Sequence, residues 1–248
     1  EELIRIEPAL KQSSLPIVGA TYAADDESGD AHIFTRELED ACVRRFGVTF
    51  TYDTKLIGFV GSDNVISGVQ LIDENGERTT RRADAYVMAT GSVTDALLRP
   101  IGLGVPIFPV KGYSLTAPVT DTSLAPKVCI TDENGKVAMS RLGDFLRMAG
   151  TAELNGFDRS INDERCEGIL KRVKKLFPQG VDYERAKKWA GLRPMTPSSV
   201  PIVGRTKFGN LYLNSGHGTL GWTLACGSGS AIADMVSGER PEIDFSFI

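Results

Sequence analysis

The stretch Gly216-His217-Gly218-Thr219-Leu220-Gly221 carries the clearest chemical pattern of the chain, because its glycines follow a predicted strand and open a predicted helix. Glycines let a backbone turn tightly beside a ligand, and the N–H groups at a helix start favour negative charge. A dinucleotide fingerprint would also need a second strand with an acidic residue about 20 residues further on. Only ten residues follow Gly238, where the predicted helix ends. The pattern therefore predicts a ligand cradle of another kind, with a purely structural tight turn as the alternative.

Arg193 is the second candidate, within Gly191-Leu192-Arg193-Pro194. An arginine between an apolar strand and a proline-fixed turn is poorly placed to be a solvated surface charge. A half-buried guanidinium needs an anion, and its forked donors match a carboxylate. An internal salt bridge to Asp or Glu is the alternative, and the residues by themselves favour that alternative.

Three further features have weaker chemical signatures. The apolar segment 85–89 ends in Thr90-Gly91, which would admit a ligand at the carboxyl end of a strand, although an ordinary turn has the same pattern. His32 could act as a general base and His217 could stabilise an anion, but neither has a partner at a recognisable nucleophile. Tyr113 could line a pocket, or it could be a packing residue with a bonded hydroxyl.

The composition excludes several classes of function. The 248 residues carry a net charge of -4 with both signs interspersed, so a nucleic-acid surface is not indicated. No apolar run approaches the roughly 20 residues of a membrane span, and no signal-peptide pattern opens the chain. The two histidines and four cysteines show no metal-ligand spacing, which argues against a zinc site. We interpret the cysteines as reduced thiols of a cytoplasmic protein.

The hydrophobic pattern predicts α/β blocks on either side of a β-rich block. A helix is predicted from Phe34 to Phe46 with Thr35 as its N-cap, and a second one over 163–176. A third, over 222–237, ends at Gly238 as its C′ residue. Strands are predicted at 17–22, 48–52, 55–60, 65–72, 77–82, 85–89, 108–119, 128–131, 137–141, 145–149, 187–192, 202–204 and 210–214, with 55–82 forming an antiparallel meander. The order of these blocks predicts two interleaved domains.

Taken together, the segments resemble the FAD-dependent D-amino acid oxidase superfamily, and within it the bacterial D-amino acid dehydrogenases. The ordered set of matches covers nearly the whole chain and is more specific than any single member. The matching stretches are 7–10, 29–30 with 34–35, 89–91, 109–115, 150–153, 189–197 and 216–222.

This resemblance implies a fold and a domain plan. It implies an α/β plus α+β chain, in which part of a FAD/NAD(P)-binding domain of the glutathione-reductase-like type is interleaved with a substrate domain on a mixed antiparallel sheet. Residues 30–106 and 198–248 would belong to the FAD-binding domain, and residues 1–29 and 107–197 to the substrate-binding domain.

The resemblance also implies roles for individual residues. Arg193 would bind the substrate carboxylate, with Thr219 and Tyr113 beside it, although the arginine that some relatives carry at position 219 is absent. Leu56 would touch the adenine through its backbone. The other cofactor-binding residues would be Ala89, Thr90, Gly91, Gly216, His217, Gly218, Thr219, Leu220, Gly221, Trp222 and Thr223.

The implied reaction is oxidative deamination of a D-amino acid to a 2-keto acid and ammonia, with a hydride passing to flavin N5 and electrons leaving to a quinone or another acceptor. Peripheral association with the inner face of the plasma membrane is compatible with the family. The strand, glycine-rich turn and helix with which the family begins are absent from this sequence. We therefore expect a truncated form that binds FAD weakly by itself. A glycine, proline or sarcosine oxidoreductase, or a non-catalytic substrate-domain fragment, is the alternative.

Overall fold

The computed structural model describes residues 1–62 and 64–243, so Asp63 and the last part of the predicted segment 198–248 lie outside the described residues. The chain divides into two compact units that alternate along the sequence. Unit 1 comprises Glu1–Leu38 and Lys111–Leu192, and unit 2 comprises Glu39–Val110 and Arg193–Ile248. These limits differ from the predicted boundaries after residues 29, 106 and 197, and they place Arg193 in unit 2.

The described helices are α1 (Glu2–Ile6), α2 (Ala31–Phe46), α3 (Thr94–Leu98), α4 (Asp163–Leu176) and α5 (Gly221–Ser237). The described strands are β1 (Lys55–Ser62), β2 (Val65–Ile72), β3 (Arg78–Arg81), β4 (Tyr86–Met88), β5 (Phe108–Pro118), β6 (Ile130–Asp132), β7 (Val137–Leu142), β8 (Phe145–Glu153), β9 (Lys187–Met195), β10 (Ile202–Arg205) and β11 (Leu211–Ser215).

Unit 1 is built on one largely antiparallel sheet in the order β6-β7-β8-β5-β9. Helix α4 covers one face of this sheet. Its apolar residues recur at helical spacing and are buried: Cys166, Ile169, Leu170, Val173 and Leu176. Asn162 caps the helix by accepting a hydrogen bond from the Arg165 backbone N–H, and the bounds of α4 agree with the predicted helix over 163–176.

Unit 2 contains two three-stranded sheets. Strands β1, β2 and β3 form the predicted antiparallel meander. The second sheet has the order β10-β11-β4, in which β11 runs parallel to β4 and antiparallel to β10. Helix α5 packs on β10 and β11 and ends at Gly238, whose φ of 83° is the left-handed conformation expected of a C′ glycine.

The almost wholly apolar composition of segment 85–89 predicts a strand buried on both faces, and the structure corrects this prediction. Strand β4 spans only Tyr86–Met88 and lies at the edge of its described sheet, so Val87 is 45% exposed while Met88 is buried. A strand is buried on both faces only where other layers cover both faces of its sheet, and the described residues cover the Met88 face but leave Val87 exposed.

Two other predicted strands are wrong. Residues 48–52 belong to no described strand, and Val48 and Phe50 are each 42% exposed. Residues 17–22 also form no strand. Alternation and β-branched residues give a segment strand propensity, but a strand forms only where another strand supplies hydrogen-bond partners.

Helix α2 was predicted with Thr35 as its N-cap, and this detail is also wrong. The Asp30 carboxylate accepts hydrogen bonds from the backbone N–H groups of His32 and Ile33, so the helix begins at Ala31. None of the α2 residues is buried, and Ile33 and Leu38 are exposed apolar residues.

Candidate functional site

The parallel pairing of β4 and β11 brings two of the predicted cofactor segments to one edge of a sheet. Leu211, Tyr212 and Leu213 pair with Tyr86, Val87 and Met88 in register. The carboxyl ends of parallel strands lie at the same edge, where open α/β sheets bind ligands. The residues Ala89–Gly91 and the glycine turn 216–221 therefore begin side by side.

Buried hydroxyl groups join these two segments. Thr94 Oγ1 lies 3.0 Å from Ser215 Oγ, and Thr94 donates a hydrogen bond to the Gly91 carbonyl oxygen at 2.7 Å. Ser215 Oγ also lies 3.3 Å from that carbonyl oxygen, and Thr90 Oγ1 lies 2.9 Å from Thr94 Oγ1. Because Thr94 and Ser215 are buried, these hydrogen bonds fix the position at which each strand ends.

The glycine turn lies directly against the segment that follows Arg193. Gly216 has a φ of 82°, and a methyl group there would lie 2.8 Å from Thr196 Cγ2. Gly218 has a φ of 55°, and a methyl group there would lie 2.7 Å from Met195 Sδ. Both positions therefore need glycine, because of the left-handed backbone and because of the close contact.

A backbone bridge fixes Arg193 near the same turn. Met195 pairs with His217 in an isolated antiparallel bridge. Arg193 precedes Met195 by two residues in β9, which is roughly 7 Å along an extended strand. The backbone of Arg193 therefore lies within the width of a small ligand from the glycine turn.

The Arg193 guanidinium has no anionic partner in the part of the chain that the structure describes. The side chain is half-buried, and this burial lowers the pKa of the guanidinium because the charged form loses solvation. The internal salt bridge that the sequence left open is not formed with any described residue. A desolvated guanidinium without an internal carboxylate could accept one from a ligand, and this role for Arg193 stays a prediction.

His217 connects the glycine turn to α5. Its Nε2 lies 3.1 Å from Ser228 Oγ, and burial lowers the pKa of the imidazole below its ordinary value of 6.5. The ring is therefore neutral at physiological pH.

The start of α5 carries the other predicted cofactor residues. Gly218–Leu220 form a single 3₁₀ turn that leads into α5, and the N-cap residue Leu220 makes no side-chain capping hydrogen bond. The exposed side chains along this stretch are Thr219, Leu220, Trp222 and Thr223. A helix start without a side-chain cap attracts a negatively charged group or an electron-rich ring edge.

Leu56 lies in β1 of the other sheet of unit 2. It is half-buried against the apolar cluster that also contains Met88, Leu211 and Leu213. The β1–β2 register shifts between Leu56 and Gly58, which leaves the bulged residue Ile57 outside the regular ladder. The predicted contact of the Leu56 backbone with adenine stays a prediction.

Tyr113 lies in unit 1 and is 1% exposed. Its hydroxyl donates a short hydrogen bond to Glu153 Oε2, and Lys111 Nζ lies 3.2 Å from the same carboxylate oxygen. This arrangement matches the packing interpretation, with a bonded hydroxyl. The role of Tyr113 beside the substrate stays a prediction.

The chain matches the family model described as FAD dependent oxidoreductase (DAO) over residues 1–235. The chain belongs to this family. Among the described residues, no cluster of three or more His, Cys, Asp or Glu side chains has an arrangement suited to a metal ion. No described helix combines the length and the apolar character needed to cross a membrane.

Curated relatives of the chain include D-amino acid dehydrogenases. The one from Xanthobacter autotrophicus is 51% identical over 241 residues, which cover 97% of this chain and 56% of the relative. The one from Dechloromonas aromatica is 46% identical over 248 residues, which cover 100% of this chain and 59% of the relative. The chain thus spans somewhat more than half the length of these relatives.

Solved structures show the same fold. Glycine oxidase from Geobacillus kaustophilus superposes with a TM-score of 0.66 at 26% identity, covering 78% of this chain and 50% of that one. L-proline dehydrogenase from P. horikoshii superposes with a TM-score of 0.66 at 19% identity, covering 77% of this chain and 51% of that one.

The residues of unit 2 fit the flavin that defines the family. Gly216 and Gly218 let the turn lie directly against Thr196 and Met195, so the start of α5 is fixed beside the strand end that carries Arg193. The start of α5 has no side-chain cap, so its positive dipole end would favour the electron-rich edge of a reduced ring placed there. Sequence reasoning missed two features of this site, the Thr94–Ser215 hydroxyl pair and the His217–Ser228 pair. Serine and threonine are common residues, so the sequence does not show which of them form hydrogen bonds with each other. The parallel pairing of β4 and β11 and the path of α5 determine these two pairs.

Proposed function

We propose that the protein containing this chain is an FAD-dependent dehydrogenase that oxidises D-amino acids to 2-keto acids and ammonia. FAD would supply the hydride acceptor, at N5 of its ring. The observation that carries the proposal is the half-buried Arg193 guanidinium, which has no described anionic partner and lies at the strand end that bridges to the glycine turn. The names of the curated relatives agree with this proposal.

In this proposal Arg193 binds the substrate carboxylate with two parallel hydrogen bonds. This contact would hold the amino acid with its α-carbon toward the ring. Hydride transfer depends on that orientation more than on a strong base. Thr219, exposed in the 3₁₀ turn, lies on the same stretch as the other predicted cofactor residues and is proposed to help hold the substrate. A quinone or another carrier would take the electrons away.

We further propose that stoichiometric FAD binding needs polypeptide beyond these residues. In the described part of the chain, α2 buries none of its residues and β4 has a strand neighbour on one side only. Mid-helix Gly227 and Gly229 of α5 have no atom within 4 Å of an added methyl group. Further polypeptide packed on these surfaces is also what the greater length of the relatives suggests.

A substrate panel tests the activity directly. The intact flavin-loaded protein that contains this chain should reduce an artificial electron acceptor with D-alanine and other neutral D-amino acids, and only weakly with L-alanine. Higher activity with glycine, sarcosine or L-proline would replace the proposal by an oxidase of another specificity. No activity with any amine would support the non-catalytic alternative. Flavin absorbance of the 248-residue chain, compared with the intact protein, tests the requirement for further polypeptide.

A further inference from the structure

One backbone hydrogen bond lies within the glycine turn, from the Leu220 N–H to the His217 carbonyl oxygen at 3.0 Å, so contacts with other segments must fix the flexible residues before and after His217. Gly216 and Gly218, on either side of His217, both have positive φ values, 82° and 55°. Glycine loses more conformational freedom on ordering than any other residue. A turn with two such residues would sample several conformations unless other contacts select one.

His217 makes contacts on two sides. Its backbone pairs with Met195, which fixes it to the strand end that carries Arg193. Its ring Nε2 lies 3.1 Å from Oγ of Ser228, a residue of α5 that is only 4% exposed. The turn is thereby held to a strand by its backbone and to a helix by its side chain.

The hydrogen bonds of Ser228 define the tautomer of His217. Ser228 Oγ donates its one proton to the Ala225 carbonyl oxygen at 3.2 Å. A hydroxyl has a single proton to donate, so Oγ accepts the hydrogen bond from the ring. The neutral ring therefore carries its proton on Nε2, and Nδ1 is a hydrogen-bond acceptor.

We propose that His217 is a positioning residue, whose Nε2–H donates to Ser228 and holds the glycine turn in one conformation relative to the Arg193 strand end. This inference rests on the proposed function, because its kinetic consequence is tighter binding of a carboxylate substrate beside the flavin. It adds a function for Ser228, which lies two turns inside α5 and outside the pattern of the glycine turn.

A double-mutant cycle in the intact flavin-loaded protein tests the pairing. Ser228→Ala removes the acceptor, and His217→Leu removes the donor. We expect each to raise KM for the amino acid about 10-fold with a smaller effect on kcat, and the double variant to be no worse than either single variant, since residues in one hydrogen bond are not additive. Ser230→Ala is the matched control, because Ser230 is exposed on the same helix. Additive effects, or an unchanged KM in Ser228→Ala, would overturn the proposal.

The second variant and readout do not depend on turnover. His217→Gln keeps a terminal N–H donor, so its KM should lie close to that of the unmodified protein and well below that of His217→Leu. If His217 only filled space, the two variants would have similar KM values. Imidazole ¹⁵N NMR should show a protonated Nε2 and an unprotonated Nδ1 for His217, and Ser228→Ala should move this signal toward a mixture of tautomers. A protonated Nδ1 in the unmodified protein would contradict the proposal even if the substrate panel supports the dehydrogenase. If His217 is protonated at Nε2 but the protein has no D-amino acid activity, the proposed function is wrong while the hydrogen bond to Ser228 is supported.

Discussion

Two arginines show how differently the two units use charge. In unit 1, the Arg172 guanidinium forms two hydrogen bonds with the Asp132 carboxylate, at 2.5 and 3.0 Å, and this carboxylate raises the pKa of the arginine. In unit 2, Arg193 is half-buried with no described anion beside it, and burial lowers its pKa. The first arginine pairs with a carboxylate of its own unit, whereas we propose that the second binds the carboxylate of a ligand.

The same contrast extends to the other buried charges of unit 1. Lys111 is 1% exposed, and its Nζ pairs with Asp158 at 2.8 Å and with Glu153 at 3.2 Å. Buried Glu7 accepts hydrogen bonds from the backbone N–H groups of Ala9, Lys127 and Val128. Buried charges with partners indicate structural roles, so Arg193 differs from them in having no anionic partner among residues 1–62 and 64–243.

The core of unit 1 should show the largest effect on stability. Leu146 is fully buried, so we expect Leu146→Ala to lower the free energy of unfolding by about 2–5 kcal/mol, through lost burial and a residual cavity. Leu154→Ala is the matched control, because Leu154 is 82% exposed and the change should cost under about 0.5 kcal/mol. Urea unfolding measures both. Equal costs would show that the described core is wrong.

Gly218→Ala should have the next largest effect on stability, and it should also raise KM for the amino acid. Its positive φ and the 2.7 Å approach to Met195 Sδ predict a cost of roughly 1–3 kcal/mol. Gly143→Ala is the control, because Gly143 has a similar φ of 59° with no atom within 4 Å of the added methyl group. We expect a smaller cost there, about 1 kcal/mol, and an unchanged KM. A raised KM in Gly143→Ala but not in Gly218→Ala would contradict the placement of the site.

The Asp132–Arg172 pair predicts a pH dependence of stability. Arg172 lowers the pKa of Asp132 below 3.8, so the unfolded chain binds a proton at higher pH than the folded chain. The contribution of the pair is therefore complete above about pH 4 to 5 and is lost as the pH falls through the lowered value. Denaturant unfolding between pH 6 and pH 3 should show this loss, and Arg172→Met should reduce its slope. An identical slope in the variant would exclude the pair as the cause.

The smallest expected effect is a gain. Gly227 lies inside α5 with nothing within 4 Å of an added methyl group, so Gly227→Ala should stabilise the 248-residue chain by up to about 1 kcal/mol. If further polypeptide packs on the Gly227 face of α5 in the intact protein, Gly227→Ala should give no stabilisation there or should impair flavin loading. Equal stabilisation of both proteins would argue against a covered α5.

The sequence predicted most elements of this fold because local patterns determine them. The α4 stripe, the meander of β1 to β3 and the C′ glycine after α5 all depend on neighbours within a few residues. The predicted strand over 48–52 failed because a strand depends on a partner elsewhere in the chain. The short helices α1 and α3 were missed, since five residues carry too little periodicity to recognise.

The candidate site also combines features that the local sequence predicts with features that depend on contacts between distant segments. The glycine turn and Arg193 were identified from residue type and spacing, and the resemblance supplied their roles. Their proximity could not be derived locally, since it follows from the bridge between Met195 and His217. The partners of His217 and Ser215 also depend on how distant segments meet.

The most direct test of the account compares two substrates in the intact flavin-loaded protein with Arg193 replaced. Arg193→Met should lower kcat/KM for D-alanine about 10²- to 10³-fold, because a buried charge pair loses one partner, and should barely change the low activity with D-alaninamide, which has no carboxylate. Arg193→Lys should have a kcat/KM for D-alanine between those of the unmodified protein and Arg193→Met, because lysine keeps the charge but lacks the paired N–H donors of the guanidinium. Arg172→Met should lower stability and leave the preference for the carboxylate intact. If Arg193→Met retained the full preference for D-alanine over its amide, Arg193 would not be the carboxylate receptor and the account would be wrong.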